Sequence, residues 1–84
     1  MKGCLFMHLE FYCPMPKQWS KKKKKEMEGQ YRNKRPDIDN YVKFVLDSLG
    51  GTFFKDDAQI VELNVYKYYS QTPRTEITIM TLDE

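Results

Sequence analysis

Apolar and polar residues alternate along the first part of the chain, with Leu5, Met7, Leu9 and Phe11 on one side and Phe6, His8 and Glu10 on the other. This period of two predicts a β-strand with the first set toward the core. Pro14 and Pro16 end it, because each lacks a ladder N–H and restricts the residue before it. Further on, Ile38, Val42, Val45, Leu46 and Leu49 recur at spacings of three and four, one apolar face of a helix running over Tyr41 to Leu49 and stopped by Gly50-Gly51. A strand follows from about Gln59 to Tyr69, where Val61, Leu63 and Val65 alternate against Glu62, Asn64 and Tyr66. After a turn at Ser70 to Arg74, a last strand runs from Thr75 to Leu82 with Ile77 and Ile79 on one face. The last two strands are expected to pair as an antiparallel hairpin.

These elements predict a single α+β domain over residues 1–84, a small mixed three-stranded sheet with one main helix packed on one face. No internal repeat or linker divides it. A chain of 84 residues buries a small share of its surface, so a lone copy has little stability to spare. A composition of 40% hydrophobic, 14% aromatic and 31% charged residues is that of a folded protein rather than a disordered one. The exception is the polar stretch from about residue 14 to 35. There Ser20 is placed to cap a helix and Gly29 to stop it, but no apolar stripe lies between them. Five consecutive lysines repel one another and sit poorly at a helix N-terminus, so this basic loop is expected to be solvated or partly disordered and to become ordered on an anion. Trp19 either anchors its base on the body or faces a ligand.

The formal net charge of +2 does not single out a nucleic-acid binder, but its distribution does. Lys17, Lys21, Lys22, Lys23, Lys24, Lys25, Arg32, Lys34 and Arg35 stand against Glu26 and Glu28 in one segment, and the remainder of the chain is acidic. Cys4 and Cys13 both fall on the first strand, nine residues apart and so about 30 Å along an extended backbone, which prevents a bridge within it. Without CxxC spacing or a leader they fit reduced thiols and a cytoplasmic protein. No apolar run approaches the roughly 20 residues of a membrane helix, so no membrane association is expected.

Two acidic clusters carry the candidate chemistry. Asp37 and Asp39 stand two apart at the entry to the helix, where extended backbone would point both carboxylates the same way; equally, Asp39 or Asn40 can be a simple N-cap. Asp56-Asp57 precedes a strand that must return along the sheet, so the clusters can meet. Three converging carboxylates repel unless a divalent cation neutralises them, and oxygen ligands without a Cys/His cluster suit Mg²⁺ or Mn²⁺ rather than zinc. Beside basic residues, such a site suits phosphodiester chemistry. Lys43, one turn after Asp39, can hold the phosphate or leaving oxygen, or be an exposed lysine paired with Asp39. The lysine run can contact phosphates or merely solvate a face. Tyr66, Tyr68 and Tyr69 can stack on bases, though tyrosine-rich strands are ordinary β chemistry. His8 is assigned no catalytic role.

At Pro36-Asp37-Ile38-Asp39-Asn40, the helix ending in Gly50, Lys55-Asp56-Asp57-Ala58-Gln59-Ile60-Val61 and the closing Arg74-Thr75-Glu76-Ile77, the chain resembles the RusA family of crossover-junction endodeoxyribonucleases. The resemblance runs from Arg35 through Ile79. It implies that Asp37, Asp39 and Asp57 are catalytic metal ligands for Mg²⁺ or Mn²⁺, that Lys43 serves catalysis, and that Asn40 and Asp56 support them. It further implies a homodimer that binds four-way (Holliday) DNA junctions and nicks two strands symmetrically in recombination and repair, as is common in phages and prophages. Lys21, Lys22, Lys23, Lys24, Lys25, Arg32, Lys34 and Arg35 are the expected DNA contacts. Against the family pattern, the chain starts late, without the strand and helix that usually precede the segment matching Leu5 to Phe11, and its basic loop is longer. Two alternatives stand beside this reading: a branched-DNA-binding module that does not cut, and a metal-dependent nuclease of another specificity.

Overall fold

The computed structural model describes residues 2–82. Strand β1 (Leu5–Cys13) is followed by helix α1 (Lys21–Met27), helix α2 (Ile38–Leu49), a 3₁₀ turn (Asp57–Gln59), strand β2 (Ile60–Tyr69) and strand β3 (Arg74–Thr81). The expected α+β architecture is present, with a mixed three-stranded sheet and two helices.

The strand order is β2-β1-β3, with β1 parallel to β2 and antiparallel to β3. The expected β2–β3 hairpin is therefore absent. Residues 70–73 look like a hairpin turn in sequence, but they pass over the end of β1 and deliver β3 to its far side. They cross roughly two strand spacings, close to 10 Å, which four residues can reach. Ser70, fully buried, is fixed at the crossing: its N–H donates to the Cys13 carbonyl, 2.9 Å away. Strand β1 takes the central place because its alternating face is the most apolar stretch of the chain. Leu5, Met7, Leu9, Phe11 and Cys13 are all buried there and form the core with Val45 of α2 and Phe54.

The alternation read along β2 is interrupted. A register shift between Leu5 and Phe6 puts Ile60 opposite Leu5 and Leu63 opposite Met7. Ile60 consequently packs against the core, whereas Val61 is 55% exposed. The face of the sheet away from α2 carries rings instead of a second layer. Tyr66, Tyr31 and Tyr12 stack around Tyr68 with centroids 5.9, 5.6 and 5.4 Å away, and Arg74 lies 3.8 Å over Tyr12.

The lysine run is helical, not a disordered excursion. Ser20 accepts a 3.1 Å hydrogen bond from the Lys23 N–H, and Gly29 ends the turn at φ +80°, where a Cβ would be strained. Lysine has good helix propensity, and α1 is also tied down from both ends. Trp19 packs on Tyr69 with centroids 5.1 Å apart, while the Lys23 ammonium sits 4.6 Å over the indole. At the other end Glu28 accepts 2.7 Å bonds from the Ser70 hydroxyl and the Gln71 N–H, which hold its carboxyl below the usual carboxylate range. Cys4 and Cys13 form no disulfide among the described residues. Among these residues no helix is long and apolar enough to cross a membrane.

Candidate active site

Helix α2 begins at Ile38, the first residue of its apolar repeat and three residues before the expected start at Tyr41, with Asp37 as its N-cap. This displaces Asp39 and Asn40 from the capping role and removes the extended backbone that was expected to align Asp37 with Asp39. Residues two apart on a helix diverge by about 200°. The Asp37 carboxylate makes no capping hydrogen bond, so its oxygens are not spent on the helix terminus. The Asn40 N–H donates to the Asp37 carbonyl, and both residues are exposed.

A groove of about 440 Å³ runs between α2 and β2. Asp39, Lys43 and Asp47 enter it from the helix at i, i+4 and i+8, above a floor that includes Val42, Leu46 and Val65, and Asp57 enters from the 3₁₀ turn. Lys43 is exposed, and the ion pairs among the described residues, His8–Glu10 and Arg74–Glu76, do not involve it. Asp47 is a carboxylate that the family motifs do not cover; its spacing of eight from Asp39 was the available signal.

Asp57 lies by the C-terminal end of α2, where its Oδ1 would stand 3.7 Å from a Cβ placed on Gly50. At 1.5 Å per residue that end is about 16 Å along the helix axis from Asp39. Asp39 and Asp57 therefore share the groove but occupy opposite ends of it, and Asp37 does not line it. Among the described residues no three acidic, histidine or cysteine side chains come together at metal-binding distance. Asp56 has a local task. Its side chain accepts from the Ala58 N–H at 2.9 Å, while Gln59 Oε1 accepts from the Asp56 N–H at 3.1 Å, a reciprocal capping box that sets the turn carrying Asp57.

The approach to Asp37 is held by a residue that sequence reasoning missed. Lys67 falls on the core-side parity of β2, opposite Phe11, where an apolar residue would be ordinary. Its ammonium reaches over Tyr41 and donates to the carbonyls of Lys34, at 2.7 Å, and Pro36, at 2.8 Å. Arg32 adds a 3.1 Å bond from Nη1 to the same Lys34 carbonyl, and its backbone N–H donates to the Lys67 carbonyl. The parity of Lys67 within Val65-x-Lys67-x-Tyr69 was the legible sign. Deeper in, the Tyr41 hydroxyl and Cys13 Sγ are 3.5 Å apart; burial and the neighbouring thiol raise the Tyr41 pKa.

Of the expected DNA contacts, Lys21, Lys22, Lys23 and Lys25 are exposed on α1, with Lys24 half-buried, and Lys34 and Arg35 are exposed just before the groove. Arg32 is half-buried against Tyr69, 5.9 Å from ring to guanidinium. Of the three β2 tyrosines, Tyr66 and Tyr68 belong to the outer stack, and Tyr69 is buried.

Compared with known proteins, residues 1–80 match the profile of the family described as Endodeoxyribonuclease RusA. The chain is 47% identical over 81 residues to the uncharacterized protein YqaN of Bacillus subtilis (strain 168), a match covering 92% of this chain and 57% of YqaN. The chain thus spans little more than half the length of that curated relative. No solved structure matches it significantly.

Proposed function

The chain belongs to the RusA endodeoxyribonuclease family, and from that premise we propose that it is a divalent-metal-dependent nuclease that resolves four-way DNA junctions as a homodimer. The observation that carries this reading is the groove along α2, where Asp39, Lys43 and Asp57 of the two family motifs face one space.

The donor chemistry fits a hard cation: carboxylate oxygens, with no sulfur or imidazole among the groove residues. Asp37, Asp39 and Asp57 would hold it, and Mg²⁺ or Mn²⁺ bound there supplies charge neutralisation at the reacting phosphodiester. Lys43 donates to a phosphate oxygen or the leaving oxygen, its stem lying on the apolar floor of the groove. Asp56 keeps the Asp57 turn in shape, and Asn40 keeps the first turn of α2. Lys34, Arg35, Arg32 and the lysines of α1 hold flanking phosphates.

The separation of Asp39 from Asp57 within one chain supports the dimer. Two copies related by a two-fold axis, each lending the Asp57 end of its groove to the Asp37–Asp39 end of the other, would assemble two equivalent carboxylate sets. Such symmetry suits a junction whose paired strands are nicked symmetrically. Two apolar residues that line the groove, Ile38 and Leu63 at 42 and 41% exposure, are available for such a contact.

The second reading is a protein that holds branched DNA without cutting it, favoured by the lack of a convergent carboxylate trio among the described residues of one chain. Cleavage of a labelled synthetic four-way junction, beside linear duplex of the same sequence, decides between them. Paired symmetric nicks on the junction with Mg²⁺ or Mn²⁺, absent with chelator and absent in Asp39→Asn, are expected. Junction binding without nicks by the folded wild-type protein would establish the second reading.

A further inference from the structure

Away from the groove, a second concavity of about 520 Å³ opens between the start of α1 and the end of the sheet. Its lining includes Pro14, Met15, Pro16 and Trp19, together with Arg32 and Lys34. Among the described residues, no acidic one lines it. The combination of apolar ring surface with two cations and no carboxylate is the chemistry that takes an aromatic ring bearing an anionic group.

Arg32 gives the cavity direction. Its backbone and Nη1 are committed to the Lys67 and Lys34 carbonyls, yet its Nε is buried and has no hydrogen-bond partner among the described residues. An orphaned buried donor on a charged group is costly, and the cost is relieved when the guanidinium turns its fork onto an anion. The Lys23 ammonium, 4.6 Å over the Trp19 ring, brings further positive charge beside the cavity. Trp19 itself is half-buried and lines the cavity, and the flexible, exposed Lys23 side chain over its ring can give way to a ligand.

We propose that this cavity binds one unpaired nucleotide of single-stranded or branched DNA, the base against Trp19, which Tyr69 backs from beneath, and the phosphate on Arg32 and Lys34. The inference rests on the branched-DNA reading above and adds to it a pocket for a nucleotide that has left its partner strand. A base still paired in duplex does not present a face to such a wall, whereas an unstacked base does.

Trp19 is the chain's only tryptophan, so its fluorescence reports this cavity alone. The full chain, in chelator so that nothing is cut, is titrated with oligothymidylate, with a four-way junction and with linear duplex. Oligothymidylate and junction are expected to quench Trp19, and duplex to leave it nearly unchanged. Arg32→Gln and Lys34→Gln are each expected to weaken the oligothymidylate titration about tenfold. Equal quenching by duplex would reduce the cavity to a phosphate contact and overturn the proposal, as would no quenching by oligothymidylate or unchanged affinity in both variants. If circular dichroism shows Arg32→Gln to be unfolded, the exposed Lys34→Gln decides alone. Because no cleavage is read, a protein that fails to nick junctions and still shows selective quenching keeps this proposal and loses only the nuclease reading.

Discussion

The Lys67 ammonium lies 2.8 Å from the carbonyl oxygen of Pro36, tying the C-terminal part of strand β2 to the residue that precedes Asp37. One lysine, bonded also to the Lys34 carbonyl, thereby sets where helix α2 begins relative to the sheet. Hydrogen bonds from a charged donor contribute about 1.5–3 kcal/mol when well shielded, and this half-buried one less. Lys67→Met is expected to lower stability by about 1 kcal/mol in denaturant titration. It is expected to lower metal-dependent nicking by more than about tenfold, since small displacements of reacting groups are amplified in rate. Lys67→Arg should restore part of both. Full nicking by Lys67→Met would show that the loop needs no such tie.

The two ends of the α2 groove can be tested by mixing. Asp39→Asn and Asp57→Asn should each nick junctions far more slowly than the wild type, as loss of a ligand from the proposed metal site would cause. Mixed and allowed to exchange copies, they should regain single nicks, because in the proposed dimer one of the two shared sites of a mixed pair would hold both native carboxylates. A mixture as inactive as its components would place Asp39 and Asp57 in a site formed by one copy.

Changing Lys21, Lys22, Lys23, Lys24 and Lys25 to Gln keeps good helix formers and the Ser20 cap, and removes five positive charges. Junction affinity should fall, and the slope of log K against log salt should become shallower by about 0.9 for each duplex phosphate that the protein no longer neutralises. An unchanged slope, measured by anisotropy over a salt series, would leave α1 as a solvated surface.

Glu28 predicts a dependence on acidity. The Gln71 N–H and the Ser70 hydroxyl favour its charged form, so its folded pKa lies below the ordinary carboxyl value. A lowered folded pKa gives stability that is complete above the unfolded value and is lost as the pH falls through the folded one. Wild type should therefore melt above Glu28→Gln at neutral pH, and the gap should close in acid. A gap that persists unchanged in acid would exclude a charge-dependent role.

Strand β1 was legible because its alternation is unbroken and its apolar side is buried along its whole length, so local pattern and tertiary demand agree. The body of α2 was legible for the same reason. Its first residues were not: Ile38 belongs to the apolar stripe, but Asp37, Asp39 and Asn40 are all good N-caps, so the local pattern allows a start at Ile38 or at Tyr41, and the geometry of Asp37 and Asp39 turns on which one caps. Strand pairing was misread because a link of residues 70–73 is as short as a hairpin loop whether it turns or crosses. The crossing depends on Ser70 bonding to Cys13, residues far apart in the chain. Charge repulsion along the five lysines outweighed their propensity in the sequence reading, while in the folded protein Trp19, Ser20 and Glu28 hold that helix from outside it. The candidate chemistry was legible as residue types in two motifs; the placement of those carboxylates along the groove required the helix and the turn.

The passage of residues 70–73 over the end of β1 also orders events in time. Strand β1 is made by the ribosome before the other elements described, yet both of its neighbours come from the last third of the chain, at residues 60–69 and 74–81. Helix α2 can cover its apolar face as soon as residues 38–49 are made, but its two hydrogen-bonding edges must wait, unpaired, until β2 and then β3 have emerged. Long sequence separation between partners slows such pairing and leaves both edges of β1 open to other chains in the meantime. Yield of soluble protein should accordingly depend on synthesis rate and temperature more steeply than the final stability would suggest.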